Sequence, residues 1–226
     1  MNLRRFYLIG GASVALQAAI AVWGFATVGF DAQVPIHWNA AGEPNGYGPA
    51  WVGFLITPAI SLGLVGLFAL LPRIEPRRAN LLKSGPAYLT VASAFLIFML
   101  LVHAAVVAAA LGYDVPITAV IGAGTGLLFT VLGNVLSTVR SNFMFGVRTP
   151  WTLTSELSWD KTHRLVGRVW VVGGIAIFLA SLLGRPELLV AMILVVAIGG
   201  AVLGFVYSYQ VWRTDPNKRP LSGDAS

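Results

Sequence analysis

The residues best equipped for chemistry lie between 140 and 168. Glu156, Asp160, His163 and Arg164 are spaced i, i+4, i+7 and i+8, which puts them on one face if the segment is helical. Carboxylates four residues apart repel, and either of two arrangements relieves the repulsion. A metal could be held by Glu156, Asp160 and His163. Alternatively, the cations of the same segment (Lys161, Arg164, Arg168) could form a solvated ion-pair face. The ion-pair face is the expectation adopted, because no HExxH-type spacing is present. Neither a metal nor any other cofactor is expected. Upstream, Arg148 is the only charge between Arg140 and Glu156 and stands beside Pro150 and Trp151. It either clamps its loop to a helix-end carbonyl or binds an acidic group. Pro150 makes Arg148 and Thr149 extended. Thr154 is then the expected N-cap of a short cytoplasmic helix with Glu156 in its first turn, lying along the membrane interface before the chain turns into the next span.

A second composed loop, 31–49, holds Pro35, His37, Trp38 and Asn39, then Gly42, Asn45, Gly46 and Tyr47. Proline rigidity with permissive glycines predicts a compact ordered cap. It either anchors at the headgroups through Trp38 and Tyr47 or presents an extracellular recognition surface. His37 with Asp31 or Glu43 matches no metal-ligand spacing.

What must position these loops is a set of membrane helices. Of 226 residues, 57% are hydrophobic and 11% charged, against about 45–50% and about 25% in soluble domains. Charge-free runs at 6–30, 44–72, 84–113, 115–139, 169–184 and 188–212 predict six spans, an all-α membrane protein. The second helix is expected at 50–71, and the short fifth run is extended back to about 165, with Arg168 snorkelling. The first run is too long for a signal-peptide core of about 7–15 residues and reads as an anchor. Fourteen of the fifteen Lys and Arg residues fall in the N-terminal tail, the second and fourth loops and the C-terminal tail; only Arg185 lies opposite. Both termini are therefore expected in the cytoplasm. The +6 charge follows from topology, and no nucleic-acid partner is needed. The absence of cysteine excludes disulfides and thiolate chemistry.

Within the spans no carboxylate lies at mid-depth, which disfavours a coupled transporter. His103 and Asn134 are the intramembrane polar residues of most interest. His103 is either a neutral imidazole bonded to a neighbouring helix, such as the one carrying Asn134, or a proton relay. Gly122, Gly124, Gly126, Gly173, Gly174 and the GxxxG pair Gly200 and Gly204 permit close helix approach. Each half of three helices has its long loop after its first helix, on opposite sides, as an inverted repeat has.

The run Gly146-Val147-Arg148-Thr149-Pro150-Trp151-Thr152-Leu153, followed by Trp159-Asp160-Lys161-Thr162-His163-Arg164 and Gly167, resembles the signature of the SdpI family. Asn134 and Asn142 lie just upstream, as in relatives. Pro35-Ile36-His37-Trp38-Asn39, with Gly42 and Asn45-Gly46-Tyr47-Gly48, resembles a small domain of unknown function that often precedes the SdpI region. The resemblance implies a multi-pass protein of the bacterial cell membrane, in contact with its lipids, that gives immunity to a secreted membrane-active toxin peptide of the SDP type. It also implies capture of a cytoplasmic transcriptional regulator, and it carries no established catalytic residue. Two regions follow: 1–86, with two helices and the outer loop, and 87–226, with four helices and the motif loop 140–168. The rival function is a transporter or channel for a small molecule or lipid, using the glycine-rich helices as a passage; an intramembrane enzyme built on His163 lacks a nucleophile with a partner.

Overall fold

A computed structural model describes residues 4–219. The chain runs α1 (Arg4–Val28), β1 (Gln33–Trp38), β2 (Pro44–Pro49), α2 (Ala50–Ile74), α3 (Arg78–Lys83), α4 (Gly85–Ala110), α5 (Ile117–Leu136), α6 (Pro150–Thr154), α7 (Glu156–Ser181) and α8 (Pro186–Thr214). Six of these helices, α1, α2, α4, α5, α7 and α8, are long and apolar enough to cross a membrane. Their outward faces are as apolar as their contacts: Val195 is 70% exposed, Val172 69% and Leu62 62%. Water would penalise such a surface, whereas hydrocarbon does not, so these are lipid-facing residues. Proline opens α4, α6 and α8, and a glycine with positive φ follows α1, α4 and α7, so the boundaries are set by local chemistry.

The spans pack as two groups of three, α1 with α2 and α4, and α5 with α7 and α8, joined through the α4–α5 contact. In the first group Tyr88 on α4 donates its hydroxyl to the Phe68 carbonyl of α2 at 2.6 Å, within a cluster of Phe6, Phe68, Leu81, Tyr88 and Leu96. In the second group α5 and α7 touch backbone to backbone. A Cβ added to Gly126 would lie 2.6 Å from the Gly174 carbonyl oxygen, and one added to Gly133 would lie 2.5 Å from that of Gly167. The two crossings, seven residues apart on each antiparallel helix, exclude any side chain. The expected GxxxG pair meets side chains instead, Gly200 against Trp170 and Gly204 against Val166 and Val147.

The all-α membrane architecture of six spans is as expected, and several finer expectations need correction. The all-α fold is completed by an antiparallel hairpin, in which Val34 pairs with Gly48 and Pro35 with Tyr47. The second helix runs to Ile74, three residues beyond the expected end. The short helix before the fifth span is Pro150–Thr154, capped by Thr149, whose side chain accepts from the Thr152 N–H. The 156–168 stretch does not lie apart along the interface. It forms the first turns of α7, which runs unbroken to Ser181 because the only glycine of that stretch, Gly167, is packed against α5 and nothing terminates the helix. The N-cap of α7 is Ser155, not Thr154, which donates its hydroxyl to the Pro150 carbonyl at 2.7 Å.

His103 is fully buried, but its Nε2 faces the Gln17 carbonyl of α1 at 2.9 Å, not the helix of Asn134. Asn134 is exposed. The polar contacts of the first group run instead through Gln17, which donates to Ser61 of α2 at 3.0 Å and to Ser13 at 3.2 Å.

Candidate functional site

At the end of the bundle shared by the N-terminus of α1, the α2–α4 connection and the C-terminus of α8, the motif residues fold into a knot around two stacked rings. Trp159 and His163, one turn apart on α7, stack with centroids 4.0 Å apart and planes at 21°. Trp159 donates its indole N–H to the Val139 carbonyl at 2.7 Å. His163 spends both nitrogens: Nδ1 donates to the Trp159 carbonyl at 2.8 Å, which leaves Nε2 to accept the Val147 N–H at 3.0 Å. Gly146 passes directly over that ring. Its φ is 111°, and a Cβ there would stand 2.4 Å from His163 Nε2. Only glycine satisfies both the backbone and the contact.

Asn142 organises the preceding turn with all its valences. Its oxygen accepts from the Met144 and Phe145 N–H groups at 2.9 and 2.7 Å, and its amide donates to the Arg140 and Phe145 carbonyls. Thr149 and Thr152 form a reciprocal capping box. Thr149 also donates to Ser208 of α8 at 3.0 Å, and Thr152 to the Val147 carbonyl at 2.9 Å. Trp151 packs its ring on Phe205 and Tyr209 of α8, 4.8 and 5.0 Å between centroids. Arg148 clamps its own loop: Nη1 donates to the Phe143 carbonyl at 2.8 Å, a loop carbonyl and not a helix end.

Thus Asn142, Gly146, Thr149, Thr152, Trp159, Thr162 and His163 are brought together, while Arg148 and Pro150 face outward. Asp160 and Arg164 lie outside the knot as an ion pair at 3.8 Å, and Glu156 is exposed near them. His163 points inward with both nitrogens engaged, so it cannot join Glu156 and Asp160. No group of metal-ligating side chains occurs among the described residues.

Partners from other loops complete the knot. Glu75, buried between Pro72 and Pro76, accepts the Phe143 N–H at 3.1 Å and the Arg77 N–H at 2.7 Å. Arg77 bonds Ser141 and the Leu153 carbonyl and lies over the Phe143 ring. Asn80 donates to the Ser141 carbonyl at 2.9 Å. Ser155 donates to Asp215, just past α8, at 2.5 Å while accepting the Ser158 N–H. The Ser155 hydroxyl and the Asn217 N–H hold the Asp215 carboxyl below its ordinary value. Sequence reasoning used this side's basic residues for orientation and passed over Glu75 and Asp215. Their signal was that each is an acid set among basic residues, Glu75 between Arg73 and Arg77 and Asp215 between Arg213 and Lys218.

At the opposite end, the hairpin is internally fastened. His37 Nδ1 lies 2.6 Å from Asn45 Oδ1, and the Asn39 side chain exchanges two 3.0 Å bonds with Glu43. Gly46 lies against His37, and Gly42 approaches Thr118 of α5. Val34 is sunk among Ala21, Ala50, Phe54 and Val107, whereas Tyr47 is 62% exposed and Pro35 is half-buried. Beneath Ile36–Ala40 a cleft of about 530 Å³ opens between α4, α5 and α8, walled by Met99, Val102, Ile121 and Val190 with His37 and Trp38 at its roof.

Residues 138–209, which hold this knot, match the SdpI/YfhL protein family, and residues 14–62, which hold the hairpin, match a domain of unknown function, DUF1648. The Immunity protein SdpI of Bacillus subtilis (strain 168) is 28% identical over 182 residues, 80% of this chain and 84% of that protein. No solved structure matches. A stacked Trp–His knot at one end, a fastened hairpin at the other and six lipid-facing spans between them make this chain a multi-pass protein of the bacterial cell membrane, similar over residues 138–209 to the SdpI/YfhL protein family.

Proposed function

We propose that this protein protects the bacterium carrying it from a secreted membrane-active peptide of the SDP type. The peptide is met at the hairpin end, and the knot at 140–168 is the output, facing the cytoplasm and holding a regulator. The observation that carries this reading is the 28% identity to an immunity protein over 182 residues, a span long enough to include both ends of the molecule. The geometry supports it in two ways. The hairpin roofs an apolar cleft suited to a hydrophobic segment, and the rigid α5–α7 pair leads from that end to the knot. A non-enzymatic role fits because Asn142, Thr152 and His163 spend their polar atoms on the backbone of the knot itself. Region 1–86 would then supply recognition and region 87–226 the output.

The test is membrane potential after challenge with an SDP-type peptide, in sensitive bacteria expressing the intact chain, Arg148→Ala or a deletion of residues 34–48. The intact chain should preserve the potential and the deletion should lose that protection. Arg148 makes one exposed bond, so its removal should cost under about 1 kcal/mol of stability. Loss of protection by Arg148→Ala at normal abundance and melting temperature would assign it to the output contact. Collapse of the potential with the intact chain present at normal abundance would defeat the immunity reading. Substrate uptake into proteoliposomes in that case would favour the transporter.

A further inference from the structure

A second cleft, of about 680 Å³, runs along the lipid-facing seam where α4 meets α1 on one side and α5 on the other. Its wall on α4 is a single stripe, Pro86, Thr90, Ala94, Ile97 and Leu101, spanning about 22 Å at 1.5 Å per residue. One leaflet offers about 15 Å of hydrocarbon, so the cleft reaches from headgroup level through the depth of a leaflet. Its facing wall is apolar, with Leu127 and Val131 of α5 and Ile9 of α1.

The polar groups of the cleft are graded along its length. Arg5, exposed at the first turn of α1, is the only ionisable residue lining it, and it makes no ion pair or hydrogen bond among the described residues. No acid among the described residues lines the cleft. Below the mouth, Thr90 and Ser93 have no hydrogen-bond partner among the described residues. By contrast, Thr125, Thr130, Ser181 and Ser208 return their hydroxyls to a carbonyl three or four residues back. A hydroxyl in hydrocarbon without such a bond needs an acceptor from elsewhere.

We propose that this cleft is a binding site for one anionic phospholipid, with its phosphate on Arg5, its ester oxygens at Thr90 and Ser93 and an acyl chain along Ile97 and Leu101. The order cation, hydroxyls, apolar trough repeats the order phosphate, ester, chain of the lipid. The guanidinium recognises phosphate by paired hydrogen bonds, and the basic residues of the same end favour a headgroup with net negative charge.

The test is native mass spectrometry of the delipidated full chain titrated with phosphatidylglycerol or with phosphatidylcholine of the same acyl chains. One phosphatidylglycerol should be retained per chain, with at least tenfold preference over phosphatidylcholine. Arg5→Gln should reduce that preference at least fivefold. Ala94→Phe, which fills the trough, should remove the retained lipid. Arg168→Gln removes a charge that does not line the cleft and should change neither. Equal retention of the two lipids, an unchanged preference in Arg5→Gln, or an equal loss in Arg168→Gln would each overturn the site. Arg5 is exposed, so its variant remains informative even if Ala94→Phe fails to fold.

Discussion

His163 has the residue type of a general base or metal ligand, yet its neighbours make it a structural pin. Stacked on Trp159 and bonded at both nitrogens, it fastens the loop to α7 through Val147. Gly146 is the residue that permits this, so Gly146→Ala should be disproportionately harmful. Backbone strain at positive φ and the loss of the part-buried Val147 bond together predict about 2–4 kcal/mol of destabilisation, read as a lowered melting temperature of the purified protein. Asp215 makes a separate prediction with a definite sign. Its folded carboxyl titrates below its unfolded value, so its contribution is present above the unfolded value and is lost as the pH falls through the folded one. An acid series of melting temperatures should show a loss in the wild type that is absent from Asp215→Asn. These contacts were only partly legible. The tryptophan, histidine and glycine stood out in the motif, but that His163 turns inward while Asp160, three residues earlier, stays with Arg164 depends on which side of α7 meets the loop.

The α5–α7 pair is the most closely approached of the helix contacts. Gly126 with Gly174, and Gly133 with Gly167, let backbone meet backbone, so Gly133→Leu should force the helices apart and cost about 1–3 kcal/mol or more. Gly199→Leu is the matched control: nothing lies within 4 Å of a Cβ there, and the change should stay within about 0.5 kcal/mol. Thermal unfolding in one detergent compares the two. Glycine enrichment was readable from the chain; the pairing was not, since it depends on the register between antiparallel helices. The loop at 31–49 was readable as ordered, because Pro35 and the glycines restrict it. Its hairpin register rests on Val34 being drawn into the core beside Phe54. The N-cap of α7 moved by one residue, to Ser155, because Asp215 from the far end of the chain meets that hydroxyl.

For the molecule as a whole, the absence of cysteine makes topology directly measurable. The charge distribution predicts that Tyr47→Cys, exposed on the hairpin, reacts with a membrane-impermeant maleimide in intact cells, whereas Glu156→Cys, exposed at the start of α7, reacts only after permeabilisation. The reverse pattern would invert the orientation and exchange the two ends' roles. Span number and the existence of two ordered loops could be read from sequence alone, because hydrocarbon thickness and the chemistry of proline, glycine and tryptophan act locally along the chain. What only the tertiary structure decided is which distant groups meet: Glu75 and Arg77 with the motif loop, Asp215 with Ser155, Gln17 with His103, and Arg5 with the trough of α4 and α5. In lipid every outward face is equally apolar, so hydrophobic periodicity cannot say which helix faces which. That choice falls to close packing and to the few polar groups that must find partners.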